Sequence, residues 1–356
     1  MKLGLVRRGY SDTGGAEAYL LRLAVALSTR GHDLVLFSDT EWPDRVLDQP
    51  GMKMAQAVLQ KSDPLEFADR MRGLPRKHGC EMVLSMERIW ECDVFRAGDG
   101  VHAAWLARRA HYEPRWRSWL RGWDPKHRGL LALERALFEG AARRIIANSS
   151  LVKSEIVAHY GTPEQYIHVV PNGLPPLVIP EEARASMRAD LGFGMSDYVV
   201  LFVGSGWERK GLRFAVDAVR EVPNAVLLVV GKGRAWSAEC VRFLGPRDDV
   251  PHLLAAADAF VLPTIYDPFS NASLEALAAG LPVITTRANG CAEILDPGVD
   301  GTVVAEPGDI KTLAAALLVW ADADLRAKTR EARLAKAAQY TIERNVRETL
   351  EVLERA

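Results

Sequence analysis

Short apolar, β-branched runs alternate with stretches of helical period from one end of the chain to the other, and this alternation constrains the fold more than any single motif. A parallel strand cannot reach its neighbour through a tight turn. It needs a crossover, usually a helix, so β-α-β repetition implies parallel sheets covered by helices on both faces. In the first half, Leu3–Val6 leads through Gly9–Gly15 into a helix over Ala16–Thr29, which Gly31-His32 ends before the run Leu34–Phe37. Met82–Ser85, Val94–Ala97, Arg144–Ala147 and His168–Val170 read as further strands. Pro171-Asn-Gly-Leu-Pro-Pro176, followed by Pro180, is the best linker signal in the chain. A second series then begins, with strands at Val199–Val203, Ala225–Val230, Val241–Leu244, Ala259–Leu262, Val283–Thr285 and Thr302–Val304. Between them Phe214–Arg220, Pro251–Ala257, Ala272–Ala279 and Leu313–Trp320 carry helical periodicity. The tail Ile342–Arg355 is amphipathic, with Val346, Leu350 and Leu353 on one side. The expected class is α/β, with two Rossmann-like doubly wound domains.

Composition narrows the function classes. With 48% apolar and 26% charged residues the chain is globular, not disordered or collagen-like. Lys and Arg (45) balance Asp and Glu (46), so no global field draws nucleic acid or membrane; any such attraction needs a local patch. Cys80, Cys92, Cys240 and Cys291 are scattered, without C-x-x-C or zinc-like spacing, and read as reduced structural thiols of a cytosolic protein. The start, Met1-Lys-Leu-Gly-Leu-Val-Arg7, is too soon charged for a signal peptide and reads as the first buried strand. No stretch approaches the roughly 20 apolar residues of a membrane span.

The most telling local string is Tyr266-Asp-Pro-Phe-Ser-Asn-Ala-Ser-Leu-Glu275-Ala-Leu-Ala-Ala-Gly280, followed by Leu-Pro and a β-branched run. It describes a loop, a helix beginning near Asn271, and a strand. N–H groups from Ser270 to Ser273 are expected to face outward, where an anion or polar ligand can use them. Asp267 and Glu275 bracket that terminus and can both accept hydrogen bonds from hydroxyls of one bound molecule; singly, they read as a turn residue and a solvated helix residue. Gly204-Ser-Gly-Trp-Glu-Arg209-Lys210-Gly211 follows a strand directly. Its glycines permit a tight turn and its two cations can neutralise a diphosphate, although Arg-Lys pairs are more often solvated surface. Gly231-Lys-Gly233 is weaker, because a lone G-x-G is common in turns. Gly14-Gly15-Ala-Glu17 lies between the first strand and its helix, where Gly-Gly can be a phosphate-approaching loop or a plain turn.

Taken as a whole, the acid-x7-acid string resembles the donor-site motif of retaining glycosyltransferases of the GT-B type, family 4, and the likeness extends over essentially the full length. It implies an N-terminal acceptor-binding domain (1–172), a C-terminal nucleotide-sugar domain (173–340), a cleft between them, and a tail (341–356) packed back on the N-terminal domain. It implies that Arg209 and Lys210 contact the donor pyrophosphate, with Gly204, Ser205 and Gly231 in the surrounding turns. Arg247, in Leu244-Gly-Pro-Arg-Asp-Asp-Val250, is then a base contact and Glu275 the ribose acceptor. Asp267 meets the hexose, helped by N–H groups of Phe269, Ser270, Asn271 and Ala272. The usual first acid of the motif is Glu; here it is Asp, one methylene shorter. Gly14, Gly15 and Glu17 would approach the donor from the other domain. Asp99, in Arg96-Ala-Gly-Asp99-Gly-Val-His102, is preferred over His102 near the reacting centre. The expected catalytic set is Asp99, Asp267, Arg209 and Lys210. A UDP-sugar serves as co-substrate, and no metal is expected because no D-x-D site is evident.

One segment is compositionally anomalous. His102–Arg128 holds four of the nine tryptophans, Trp105, Trp116, Trp119 and Trp123, among Arg108, Arg109, Arg115, Arg117, Arg121 and further cations, opposed only by Glu113 and Asp124. Interleaved indoles and cations suit an anionic bilayer surface or a lipid-linked acceptor. The alternatives are core tryptophans beside a cationic helix, or a nucleic-acid patch, which the fold disfavours. With Leu133-Glu-Arg-Ala-Leu-Phe-Glu139 this segment resembles the lipopolysaccharide core glucosyltransferase I group. That likeness implies transfer of a hexose, glucose first, to a lipid-linked saccharide on the cytoplasmic face of the inner membrane. The competing readings are a family 4 transferase for a capsule or exopolysaccharide, and a non-enzymatic two-lobed sugar-binding protein.

Overall fold

A computed structural model of the 356-residue chain describes residues 1–11, 15–114 and 124–356. The chain divides into two compact units, Met1–Gly173 with Ile342–Ala356, and Leu174–Thr341.

The first unit is built on seven parallel strands: β1 (Lys2–Val6), β2 (Asp33–Ser38), β3 (Met54–Val58), β4 (Met82–Ser85), β5 (Cys92–Ala97), β6 (Ala142–Ala147) and β7 (Ile167–Val169). Their order is β3-β2-β1-β4-β5-β6-β7. Side chains alternate across β1, as the strand period requires. Leu3 and Leu5 join the core formed with Leu20 and Leu23 of helix Gly15–Thr29, while Val6 joins Phe67, Met71 and Leu133. The C-terminal helix Ile342–Glu354 covers the first of these cores with Val346, Val352 and Leu353, each at most 3% exposed. Three such side chains are worth about 2 kcal/mol each, about 6 kcal/mol together, comparable with a domain's whole net stability. The helix is therefore integral to this unit. Asn345 fixes its register, accepting from Tyr19 Oη (2.8 Å) and donating to the Pro171 carbonyl (2.6 Å).

The second unit has six parallel strands: β8 (Tyr198–Val203), β9 (Ala225–Val230), β10 (Val241–Gly245), β11 (Ala259–Leu262), β12 (Val283–Thr286) and β13 (Gly301–Val304). They are ordered β10-β9-β8-β11-β12-β13. Helices Leu212–Arg220, Val250–Ala256, Asn271–Ala278 and Ile310–Val319 cover the sheet. Both units are thus doubly wound, as the alternation in the sequence predicts. Each has one seam where the winding reverses, β1/β4 and β8/β11. The connections on either side of such a seam diverge, leaving a crevice beyond the strands' C-terminal ends.

Candidate functional site

At the β8/β11 seam, β8 runs into the turn 204–206 and the short helix Trp207–Lys210, while β11 runs into Pro263–Asp267. The two segments are stitched together. The Arg209 carbonyl accepts from Ile265 N (2.9 Å) and Thr264 Oγ1 (2.8 Å). A side chain at Gly211 (φ +73°) would put its Cβ 1.8 Å from the Pro263 carbonyl oxygen, so glycine is what allows this approach. Gly231 is explained likewise, since a Cβ there would fall 2.2 Å from the Gly204 carbonyl oxygen.

This stitching brings Lys210 Nζ onto a carboxylate oxygen of Asp267, with the two side chains 14% and 5% exposed. The sequence reading gave these residues different partners, phosphate and hexose; here they meet each other. The reason is topological, because adjacent loops at a winding reversal must leave from neighbouring strands. Arg209 is half-buried, and its guanidinium has no carboxylate partner among the described residues.

Asp267 is also fixed through its backbone: its N–H donates to the Ala288 carbonyl and its carbonyl accepts from Gly290 N, both at 2.8 Å. Helix Asn271–Ala278 follows, with Ser270 as its N-cap. The expectation that the N–H groups from Ser270 to Ser273 all face outward is corrected here. Ser273 N donates to Ser270 Oγ and Ser270 N to Asn289 Oδ1, both at 3.2 Å. Capping takes the first of these and a buried amide the second. Ala272 N–H, in the first turn, has no hydrogen-bond acceptor among the described residues and keeps the anion-binding property of a helix start. Phe269 and Ser270 are buried; Asn271, Ala272 and Glu275 are half-buried on the same helix.

Asn289 is a residue of this seam that sequence reasoning missed. It is 1% exposed, and its amide also accepts from Cys291 N (3.0 Å) and donates to Ser273 Oγ (3.3 Å) and Thr285 Oγ1 (3.0 Å). It ties the end of β12 to the helix start. Its only sequence signal is its place just after a strand, in Ala288-Asn289-Gly290. Elsewhere on the rim, Ser205 Oγ accepts from Lys232 N (3.0 Å), and Arg247 is exposed, forked on Asp249 at 2.8 and 2.5 Å.

The first unit has its own cluster at the β1/β4 seam. Gly14 lies outside the described residues. Gly15 opens helix Gly15–Thr29, so Glu17 sits in the helix's first turn and not in the loop before it. Arg7, at the end of β1, holds three carboxylates: Glu87 at 2.8 Å, Glu17 at 3.0 Å and, more loosely, Asp99 at 3.9 Å. Glu17 is buried, whereas the Asp99 side chain is 58% exposed and presents the carboxylate outward. Burial, reinforced by Asp99 and opposed by Arg7, pushes the Glu87 carboxyl up to about 7. Arg7 and Glu87 were not singled out from the sequence. Close by, the fully buried Glu134 accepts from His102 N (2.6 Å), Ala103 N (3.1 Å), Tyr160 Oη (2.6 Å) and Arg88 (2.8 Å), capping helix His102–Ala110. Burial, aided by Arg88, lowers His102 to about 4, so its ring is neutral at physiological pH.

Of the Trp-Arg segment, Trp105 and Arg109 are described: the guanidinium lies 5.5 Å from the indole centroid and pairs with Glu113 at 3.6 Å. Arg115, Trp116, Arg117, Trp119, Arg121 and Trp123 lie outside the described residues. No helix among the described residues is long and apolar enough to cross a membrane.

Comparison with known proteins follows the two units. Residues 13–176 match the family model described as Glycosyltransferase Family 4, and residues 197–322 match that described as Glycosyl transferases group 1. The lipopolysaccharide glucosyltransferase WaaG of Escherichia coli (strain K12) is 27% identical over 324 residues, covering 84% of this chain and 83% of that protein. A glycogen synthase of Mycobacterium tuberculosis is 28% identical over 367 residues, covering 91% and 86%. The crystal structure of WaaG has the same fold, with a TM-score of 0.82 at 23% identity over 98% of this chain and 99% of that one. Anabaena Alr3699/HepE, solved with UDP and glucose, gives a TM-score of 0.77 at 18% identity over 100% of both chains.

Proposed function

This chain belongs to the GT-B glycosyltransferases of family 4, and on that premise we propose that it is a retaining hexosyltransferase that moves glucose from UDP-glucose to a hydroxyl of a lipid-linked saccharide. The observation that carries the reading is the convergence at the β8/β11 seam of Arg209, the Lys210–Asp267 pair and the start of helix Asn271–Ala278. Two cations and a helix N-terminus suit a diphosphate, and carboxylates suit the hydroxyls beside it. Solved relatives lend support, since HepE was crystallised with UDP and glucose.

In this reading Arg209, Lys210 and the Ala272 N–H hold the diphosphate, and Glu275 takes the ribose hydroxyls. A bound diphosphate competes for Lys210, which releases Asp267 toward the hexose. Arg247 contacts the base once it leaves Asp249. As the bond from the anomeric carbon to the phosphate oxygen breaks, the positive groups stabilise the charge on the leaving diphosphate. The acceptor oxygen bonds to the same face of that carbon, and its proton passes to the departing phosphate oxygen. Asp99 stands near the acceptor, and no metal takes part.

The acceptor reading rests on the Trp-Arg segment and the likeness to the lipopolysaccharide glucosyltransferase, and it sets the protein on the cytoplasmic face of the inner membrane. Vesicle sedimentation tests it. The chain should pellet with anionic vesicles, less with neutral ones, and less again in high salt. Replacing Arg115, Arg117 and Arg121 with Ser should release it without loss of UDP binding. Pelleting that ignores lipid charge would remove the membrane part of the proposal. Thermal-shift screening of nucleotide sugars tests the donor, with UDP-glucose expected to give the largest shift.

A further inference from the structure

We propose that the second unit carries a further anion site, at the opposite end of its sheet from the donor loops, which takes a phosphorylated small molecule. A cavity of about 680 Å³ opens where β11 and β12 begin. Its lining includes four arginines, Arg184, Arg326, Arg330 and Arg333, against two carboxylates, Glu181 and Asp258, a surplus of two positive charges (four less two). Leucine and proline side chains, among them Leu254, Leu281 and Pro282, form the remaining wall.

Part of this arginine set has a structural task. Strands begin where the preceding helices end, and helix C-termini gather bare carbonyls and partial negative charge. Arg184 donates to the carbonyls of Ala255 (3.0 Å) and Ala257 (2.8 Å), and the buried Arg188 to that of Ala256 (2.8 Å), at the end of helix Val250–Ala256. Arg326 donates to the carbonyls of Trp320 and Ala321, both at 2.7 Å, after helix Ile310–Val319. Arg333 donates to the Gly280 carbonyl (2.8 Å) after helix Asn271–Ala278. Asp258 alone is shared by Arg184 (2.7 Å), Arg188 (3.3 Å) and Arg326 (3.3 Å).

That task does not use all the charge. Behind the lining, Arg188 is balanced by Asp258 and Asp197 and Arg333 by Asp300, so the surplus that faces the cavity is that of the lining itself, four guanidiniums against two carboxylates. Arg330 belongs to none of the helix ends. Among the described residues it forms one ion pair, a 3.6 Å contact to its neighbour Glu331, and its side chain is 52% exposed. It lies across Gly280, where a Cβ would come within 3.0 Å of its Nε. Burial, opposed by Asp300 and aided by Arg330 and Arg326, lowers Arg333 to about 10. A phosphoryl group, carrying nearly two negative charges at neutral pH, matches the surplus, and guanidinium forks match its oxygens. The volume exceeds what one phosphate needs, so an organic portion lies against the apolar wall. Helix Asn271–Ala278 separates this cavity from the donor loops by about 12 Å, eight residues at 1.5 Å each.

The test uses phenyl phosphate, titrated calorimetrically into the full chain carrying Arg209→Ala, which removes the donor-side cation that no carboxylate holds. One molecule should bind per chain, and phenol, lacking the phosphoryl group, should bind at least about tenfold more weakly. Adding Arg330→Gln should weaken phenyl phosphate at least about fivefold with an unchanged melting temperature, because Arg330 supports no helix end. No binding at millimolar phenyl phosphate to the folded Arg209→Ala chain would overturn the proposal, and so would equal affinity with and without Arg330→Gln.

Discussion

Replacing Asn289 with alanine should loosen the start of helix Asn271–Ala278 more than any exposed substitution on the same rim. The Asn289 amide makes four hydrogen bonds, with Ser270 N (3.2 Å), Cys291 N (3.0 Å), Ser273 Oγ (3.3 Å) and Thr285 Oγ1 (3.0 Å), from a position 1% exposed. Alanine removes all four and strands two N–H donors, those of Ser270 and Cys291. Each orphaned buried donor costs about 1–3 kcal/mol. A water entering the vacated space recovers part of that, leaving a net loss of about 3 kcal/mol. In a unit of 168 residues (341 − 174 + 1) this corresponds to a fall in melting temperature of about 6–12 °C. Scanning calorimetry on Asn289→Ala measures it, with Arg247→Ala as the control. Arg247 is exposed and forked on Asp249, so its loss should cost no more than about 0.5 kcal/mol. A melting temperature for Asn289→Ala within about 2 °C of the parent would refute this reasoning. The backbone bonds of Asp267 to Ala288 and Gly290 would then suffice to hold the loop.

Lys210→Met should destabilise the second unit by about 3 kcal/mol, because it leaves the 4% exposed Asp267 without its cation. Asp267→Asn in the same chain should restore most of that loss, and strictly additive urea-melt energies would show the pair to be uncoupled. Glu87 gives a pH dependence whose sign follows from its raised carboxyl, about 7 against the ordinary 4.5. The folded state favours the protonated form, so Glu87 contributes fully below about pH 4.5, and that contribution is lost as pH rises through about 7. Glu87→Gln should flatten the stability profile across this window by on the order of 3 kcal/mol, and parallel urea-melt profiles for the two proteins would contradict it.

The sheets were readable because their central strands are continuous apolar runs. Ala225–Val230 and Ala259–Leu262 coincide with the structural strands residue for residue. Met54–Val58 escaped because it is an edge strand, half-exposed, without a clear apolar period. Helix Ala323–Ala337 escaped because charged residues and alanines fill it with few large apolar side chains, and its best clue is the Asp322 cap, which accepts from Asp324 N and Leu325 N. Site residues such as Arg209, Lys210, Asp267 and Glu275 stood out because each lies in a string whose composition is unusual at the end of a strand. The pairing of Lys210 with Asp267 was not legible, because it depends on β8 and β11 being neighbours, and that is a property of strand order. Arg7 pairs with Glu87 across 80 residues, and Asn289 joins its neighbours Thr285 and Cys291 to the distant Ser270 and Ser273, so local period and spacing did not mark their roles.

The central claim is that the second unit holds a nucleoside diphosphate through Arg209 and Lys210. Calorimetric titration of UDP into the parent chain and into Arg209→Ala/Lys210→Ala tests it most directly. Charge-assisted contacts to phosphate are worth about 1.5–3 kcal/mol each, so the folded double variant should bind UDP at least about tenfold more weakly. Equal UDP affinity in the two proteins, with circular dichroism showing both folded, would contradict the account.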